Sequence, residues 1–327
     1  MEKILIIHHN DRDGVVSAAI ITNMIAHERG EYTIDYMEEN YTKSYDDILP
    51  LYKMAEYDRV YILDYSPSTD DDCRWIMDAR KTNTSIIWID HHITSIKAEE
   101  QFGEALSSTD GIRLDGISAA ALCWLWSIGF REQLQDIKKS HKSKISPKYA
   151  LELLKTMDCP LIIQLTHRYD IWDHSLKSMD PVYFNYGDKH MIDWWIDKID
   201  LSKNQLDIIA KKEISDGKLK YDEIMISNNK ICEDSGFETA LEVDGNTYTV
   251  FAVNKIGGNS LLFGDRINRY DIVSVFWYSG PDRCFRYTIY SRTPSGVDVS
   301  KIAKILGGGG HPHAAGFKND EIIYKPI

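Results

Sequence analysis

The chain has 327 residues, 43% of them hydrophobic, which supplies a real core and excludes wholesale disorder. Its 38 basic and 50 acidic side chains leave a formal charge of −12. That balance argues against coating long duplex nucleic acid or an anionic membrane, yet allows a small anion held through metal ions.

Five scattered cysteines with no C-x-x-C pair predict reduced core thiols. No apolar run is long enough to cross a bilayer and the first residues do not form a signal segment, so the expectation is a soluble cytoplasmic protein. At about 100–200 residues per domain, the length predicts about two domains.

In chain order, three continuous apolar runs stand out at residues 4–7, 60–63 and 86–89. Continuous rather than alternating patterns predict strands covered on both faces of a parallel sheet. Helical patterns fall between them at residues 15–27 and 70–80, the second started by Pro67 and Ser68. This alternation predicts an α/β doubly wound domain with a mainly parallel sheet. Residues 118–130 predict a buried helix and 138–147 an exposed loop. Residues 189–229 are mostly helical in pattern, with 202–230 read as a linker helix. Beyond residue 231 a hairpin is predicted over 239–253 around Asp244-Gly245-Asn246. A helix at 260–269, strands at 272–278 and 284–291 and a short helix at 299–306 complete a smaller α+β domain. The expected organisation is a metal-binding catalytic domain over 1–201, a linker helix over 202–230 and a substrate-binding C-terminal domain over 231–327.

The strand ends carry the chemistry. The first run ends in His8-His9-Asn10-Asp11-Arg12-Asp13-Gly14, the second in Asp64 and the third in Asp90-His91-His92. In an open parallel sheet these ends share the edge where ligands bind. So many carboxylates together would repel one another and raise each other's pKa, a conflict that divalent cations remove. His and Asp donors without thiolate favour Mn²⁺, Mg²⁺ or Fe²⁺ over structural zinc. Two such ions about 3.5–4 Å apart can activate a water and stabilise an in-line displacement at phosphorus. A lone strand-end Asp is more often a helix cap or turn former, and His8 is read as a packed or solvated neighbour of His9. Three strand ends together are not explained by caps. Near the C-terminus, Gly307 to Gly310, His311 and Ala314-Ala315-Gly316 let backbone N–H groups approach an anionic oxygen, with Arg292 on the preceding strand end.

The pattern His9-x-Asp11-x-Asp13-Gly14, Asp64, Asp90-His91-His92 and Gly308-Gly309-Gly310-His311-x-x-Ala314-Ala315-Gly316 resembles the DHH phosphoesterase superfamily with its DHH-associated C-terminal domain. It is similar to the subgroup of nano-RNases, cyclic-dinucleotide phosphodiesterases and RecJ-type exonucleases. The resemblance implies a phosphodiesterase with two Mn²⁺, where Mg²⁺ or another divalent ion could serve. It implies that His9, Asp11 and Asp64 hold one ion. Asp13, Asp64, His91 and a later Asp would hold the other, with Asp64 bridging. Asp90 would orient a histidine, His92 would contact the phosphate and a water between the ions would be the nucleophile. Arg292, Gly309, Gly310 and His311 would bind substrate. For the later Asp, the run Tyr169-Asp170-Ile171-Trp172-Asp173 offers Asp170 and Asp173, with Asp158 more remote. Asp170 is chosen because Tyr-Asp-x-Trp resembles some oligoribonuclease-like members.

The expected activity is hydrolysis of short oligonucleotides to nucleoside 5′-monophosphates. Alternatives are a cyclic- or linear-dinucleotide phosphodiesterase, a phosphatase for 3′-phosphoadenosine 5′-phosphate, an inorganic pyrophosphatase or, remotely, a non-catalytic nucleotide-binding protein. The expected partner is a short oligonucleotide or dinucleotide, with no membrane, and pairing into a homodimer stays open.

Overall fold

The computed structural model describes residues 1–39, 56–66, 70–81, 84–171, 178–188, 191–292 and 296–324. Pro67, Ser68 and Asp173 lie outside the described residues. The chain divides into two compact units, Met1–Lys218 and Leu219–Ile327.

The first unit runs β1 (Glu2–His9), α1 (Arg12–Ala26), β2 (Tyr32–Glu39), β3 (Arg59–Leu63), α2 (Asp70–Lys81), β4 (Ser85–Asp90), α3 (Ile93–Phe102), α4 (Glu104–Ser107) and β5 (Asp110–Arg113). Five further helices follow, α5 (Ala119–Ser127), α6 (Arg131–Ser140), α7 (Pro147–Thr156), α8 (Leu161–Asp170) and α9 (Asp180–Tyr186). α10 (Ile192–Ile199) then leads into α11 (Lys203–Ser235), and the division between units falls inside α11. The five strands form one parallel sheet in the order β2-β1-β3-β4-β5.

The continuous apolar runs follow from burial on both sheet faces. Ile4, Ile6, Tyr61, Leu63, Ile87 and Ile89 pack into the core that holds α1 and α5. Leu5, Ile7, Val60, Ile62, Ile86 and Trp88 pack into a second core with residues of α2 and α3. Each such side chain fully buried is worth about 1.5–3 kcal/mol, so each central strand is held from both sides. The doubly wound reading is therefore correct.

Two strands of the first unit are absent from the sequence expectation. β2 is an edge strand whose eight residues include only two buried ones, Met37 and Glu39. β5 has only four residues. The expected loop over 138–147 is shortened to residues 141–146, with helix at both ends. Lys138, Lys139 and Ser140 are the last turn of α6, where Lys138 donates to Glu99 Oε2 at 2.7 Å. Glu99 also receives the Nε of buried Arg113 at 2.7 Å, and this partner holds Lys138 out of the solvent-facing loop its charge suggests.

α7 starts where Ser146 accepts from Tyr149 N at 3.2 Å, with Pro147 at the first helical position. Ser146→Ala should cost about 1 kcal/mol, read as a lower urea midpoint with unchanged slope.

The second unit holds a six-stranded sheet in the order β10-β11-β9-β8-β7-β6. Its strands are β6 (Gly236–Val243), β7 (Asn246–Asn254), β8 (Ile272–Ser279), β9 (Cys284–Tyr290), β10 (Gly309–His311) and β11 (Ala314–Asn319), with α12 (Val299–Ile305) before β10. The hairpin turn is as expected, since Asp244 and Gly245 have φ of 51° and 75°, the pair a type I′ turn requires. Residues Ser260–Asn268 form a 3₁₀ helix rather than an α-helix, interrupted at Gly264 with φ 51°.

Candidate metal centre

Asp11 ends β1's extension and caps α1, its side chain accepting from Gly14 N at 3.0 Å. Gly14 is required there because a Cβ would lie 2.2 Å from the His9 carbonyl oxygen. Asp13, one residue earlier in the same turn, reaches across the sheet edge. Its two oxygens accept from Ala119 N at 2.8 Å and Ala120 N at 3.0 Å, the free amides that open α5.

Asp64 follows β3 with φ 54°, left-handed backbone unusual for a residue with a Cβ, and is 1% exposed. Asp90 ends β4 fully buried. Its Oδ1 accepts from His91 N at 2.8 Å and lies 2.7 Å from His92 Nδ1. Asp170, the last residue of α8, completes the group.

The structure gathers His9, Asp11, Asp13, Asp64, Asp90, His91, His92 and Asp170. Three sets each offer ligand atoms within 4.8 Å of one another: His9, Asp11 and Asp64; Asp13, His91 and Asp170; and Asp64, Asp90, His91 and His92. His91 Nε2 lies 3.2 Å from Asp64 Oδ1 and 3.2 Å from Asp170 Oδ2. His9 Nδ1 lies 3.1 Å from Asp11 Oδ2 and 3.8 Å from Asp64 Oδ2. Asp158 stands apart, exposed and 3.6 Å from Lys203 Nζ.

Charge without compensation is visible in the proton affinities. Burial, then the charge of Asp11, pushes Asp13 up to about 6. Burial, then neighbouring carboxylates, raises Asp64 and Asp170 well above the usual carboxylate range. Burial, then His92, lowers His91 to about 4, so its ring is neutral and a lone pair is available. Burial opposes ionisation of Asp11, but the hydrogen bond and charge of His9 bring it to about 2. Burial disfavours the His92 cation, yet Asp90 outweighs it and raises that pKa.

The donor set fits divalent cations. Both oxygens of Asp64, Nε2 of His91 and Oδ2 of Asp170 are buried without a hydrogen-bond partner. Buried polar atoms are normally satisfied, and four orphans converging in a sulfur-free His/Asp group match hard-to-borderline cations.

Arg292, Gly309, Gly310 and His311 lie in the second unit, all exposed. The glycine run is partly a strand and not only a turn. β10 pairs with β11 as an edge strand, and a Cβ at Gly308 would lie 2.1 Å from Gly316 O. At Gly310, with φ 145°, it would lie 2.5 Å from Ala315 Cα. The small Ala315-Gly316 pair accounts for these glycines through close packing.

A cavity of about 280 Å³ shares Asp11, Asp13 and Asp170 with the cluster and is also lined by Arg12, Tyr169 and Trp195. Sequence reasoning missed Arg12 as a functional candidate. Its partners, Phe184 and Asp188, come from more than 170 residues away, so no local signal marks it.

Among the described residues no helix is long and apolar enough to cross a membrane. The comparison with curated proteins gives no match. Among solved structures, an uncharacterized protein from Helicobacter pylori G27 is 15% identical, with TM-score 0.40, covering 99% of this chain and 94% of that one. The pGpG-specific phosphodiesterase PggH from Vibrio cholerae is 13% identical, with TM-score 0.47, covering 97% and 93%. The exonuclease RecJ bound to manganese is 13% identical, with TM-score 0.46, covering 98% and 86%. Residues 3–106, which carry all three strand-end motifs, match the model described as the DHH family, N-terminal domain.

Proposed function

We propose that the protein is a Mn²⁺-dependent phosphodiesterase that hydrolyses short oligonucleotides to nucleoside 5′-monophosphates. Residues 3–106 match the N-terminal domain of the DHH family, and the observation that supports the metal-dependent reading is the set of orphaned ligand atoms on Asp64, His91 and Asp170. His9, Asp11 and Asp64 would hold one ion, and Asp13, Asp64, His91 and Asp170 the other. When bound, two divalent cations lower the pKa of a water and offset charge on phosphoryl oxygens.

The protein's own groups divide the remaining work. Neutral His91 offers a lone pair at Nε2. Asp90 fixes the His92 ring through Nδ1 and favours its protonated form, leaving Nε2–H to donate to a phosphoryl oxygen. In the second unit, Arg292, Gly309, Gly310 and His311 grip the substrate. The organisation consistent with this reading is a catalytic domain over 1–201, a linker helix over 202–230 and a substrate-binding domain over 231–327.

Incubation with Mn²⁺ and 5′-labelled RNA dinucleotide and pentanucleotide, alongside cyclic di-AMP and pyrophosphate, tests this. The expected result is stepwise release of mononucleotides from the linear substrates. Intact linear substrates with cyclic di-AMP opened or pyrophosphate cleaved would overturn the substrate assignment.

A further inference from the structure

The cavity beside the cluster has chemistry that metal binding does not use. Arg12 lies with its Cζ 4.4 Å from the Phe184 ring centroid and 5.9 Å from that of Trp195. Its Nη2 donates to the Asp188 carbonyl at 2.9 Å, while Nη1 is buried without a hydrogen-bond partner. Half-buried Tyr169 gives the cavity aromatic surface, Trp195 packs beside Arg12 and is itself buried, and Asn10 and Asn185 add two amides.

The occupant follows from this lining. A second phosphate is a poor fit, because one guanidinium faces three carboxylates, Asp11, Asp13 and Asp170. A flat, uncharged heteroaromatic ring is a good one. Aromatic surface stacks on any base, amides present paired donors and acceptors to a base edge, and a guanidinium N–H donates to ring acceptors. A volume of about 280 Å³ accommodates such a ring.

We propose that this cavity is the nucleobase subsite for the nucleotide whose phosphate enters the carboxylate cluster, with Arg12 donating to an acceptor on the base edge. The inference rests on the phosphoesterase reading and deepens it. Substrate would then be selected for carrying a base, and not merely a phosphodiester, at this position.

Calorimetric titration of the full chain with Mn²⁺ and AMP, GMP or ribose 5-phosphate reads the subsite directly. AMP or GMP should bind at least tenfold tighter than ribose 5-phosphate. Arg12→Met and Asn185→Ala should each reduce that ratio at least fivefold. Asn185→Ala probes the same lining while keeping the Arg12–Phe184 contact. Equal affinity for the base-free ligand, or a ratio unchanged in Asn185→Ala, would overturn the subsite. Hydrolysis of linear dinucleotides measured in parallel separates the two ideas. Turnover without base preference removes the subsite alone, whereas base preference without turnover of any phosphoester removes the phosphoesterase reading and leaves the subsite standing.

Discussion

Asp64→Asn is expected to abolish metal-dependent hydrolysis and, at the same time, to raise the melting temperature of the chelator-treated protein. Asp64 is common to two of the three ligand sets and both its oxygens lack partners, so its loss removes the group best placed to join two ions. In wild type, Mn²⁺ at 100 times its dissociation constant should add about 2.7 kcal/mol of stability, seen as a rise of several degrees. The variant should lose that rise.

The sign without metal follows from proton linkage. The folded-state pKa of Asp64 is raised, by burial first and by Asp13, Asp11, Asp170 and Asp90 next. A carboxyl whose folded pKa is raised destabilises the fold increasingly as pH climbs above its unfolded value, about 3.9. The gain from Asn should therefore be present at neutral pH and vanish below about pH 4, where the acid is protonated in both states. Residual turnover above a few per cent of wild type, or a chelator-treated variant less stable than wild type at pH 7, would sink this account.

Asp13→Ala should also abolish hydrolysis, but with the opposite effect on stability. The two Asp13 oxygens satisfy the first amides of α5, Ala119 N and Ala120 N. Losing them leaves two buried donors unpaired at about 1–3 kcal/mol each, offset in part by relief of repulsion within the cluster. A net loss of about 1–4 kcal/mol is expected in chelator, measured by urea unfolding. Two acidic residues of one cluster would thus separate by the direction of their stability change. If both variants were destabilised alike, the division between a strained ligand and a helix-capping ligand would fail.

The strand ends were legible because β1, β3 and β4 are central, and burial on both faces writes them as unbroken apolar runs. Parallel direction then places His9, Asp64 and Asp90 on one edge without further information. β2 escaped because an edge strand with residues such as Asp35, Glu38 and Glu39 carries no continuous apolar run. The Asp13 bond to α5 spans more than 100 residues of sequence, and nothing local to either end announces it. Asp170 was legible through its resemblance alone, since its place beside His91 depends on where the C-terminus of α8 points. The Lys138 error has a similar origin, because its buried partner Glu99 sits on α3.

The left-handed backbone at Asp64 also narrows what point mutation can do there. A single nucleotide change in an Asp codon reaches Asn, Gly, Glu, Ala, Val, His or Tyr. Of these, Asn and Gly adopt positive φ most readily, while β-branched Val is the worst suited. Most accessible replacements would thus forfeit both the carboxylate and a comfortable main chain. Asn and Gly would forfeit only the first, giving a folded and inactive protein, so the well-tolerated drifts at this position would silence the site without removing the protein.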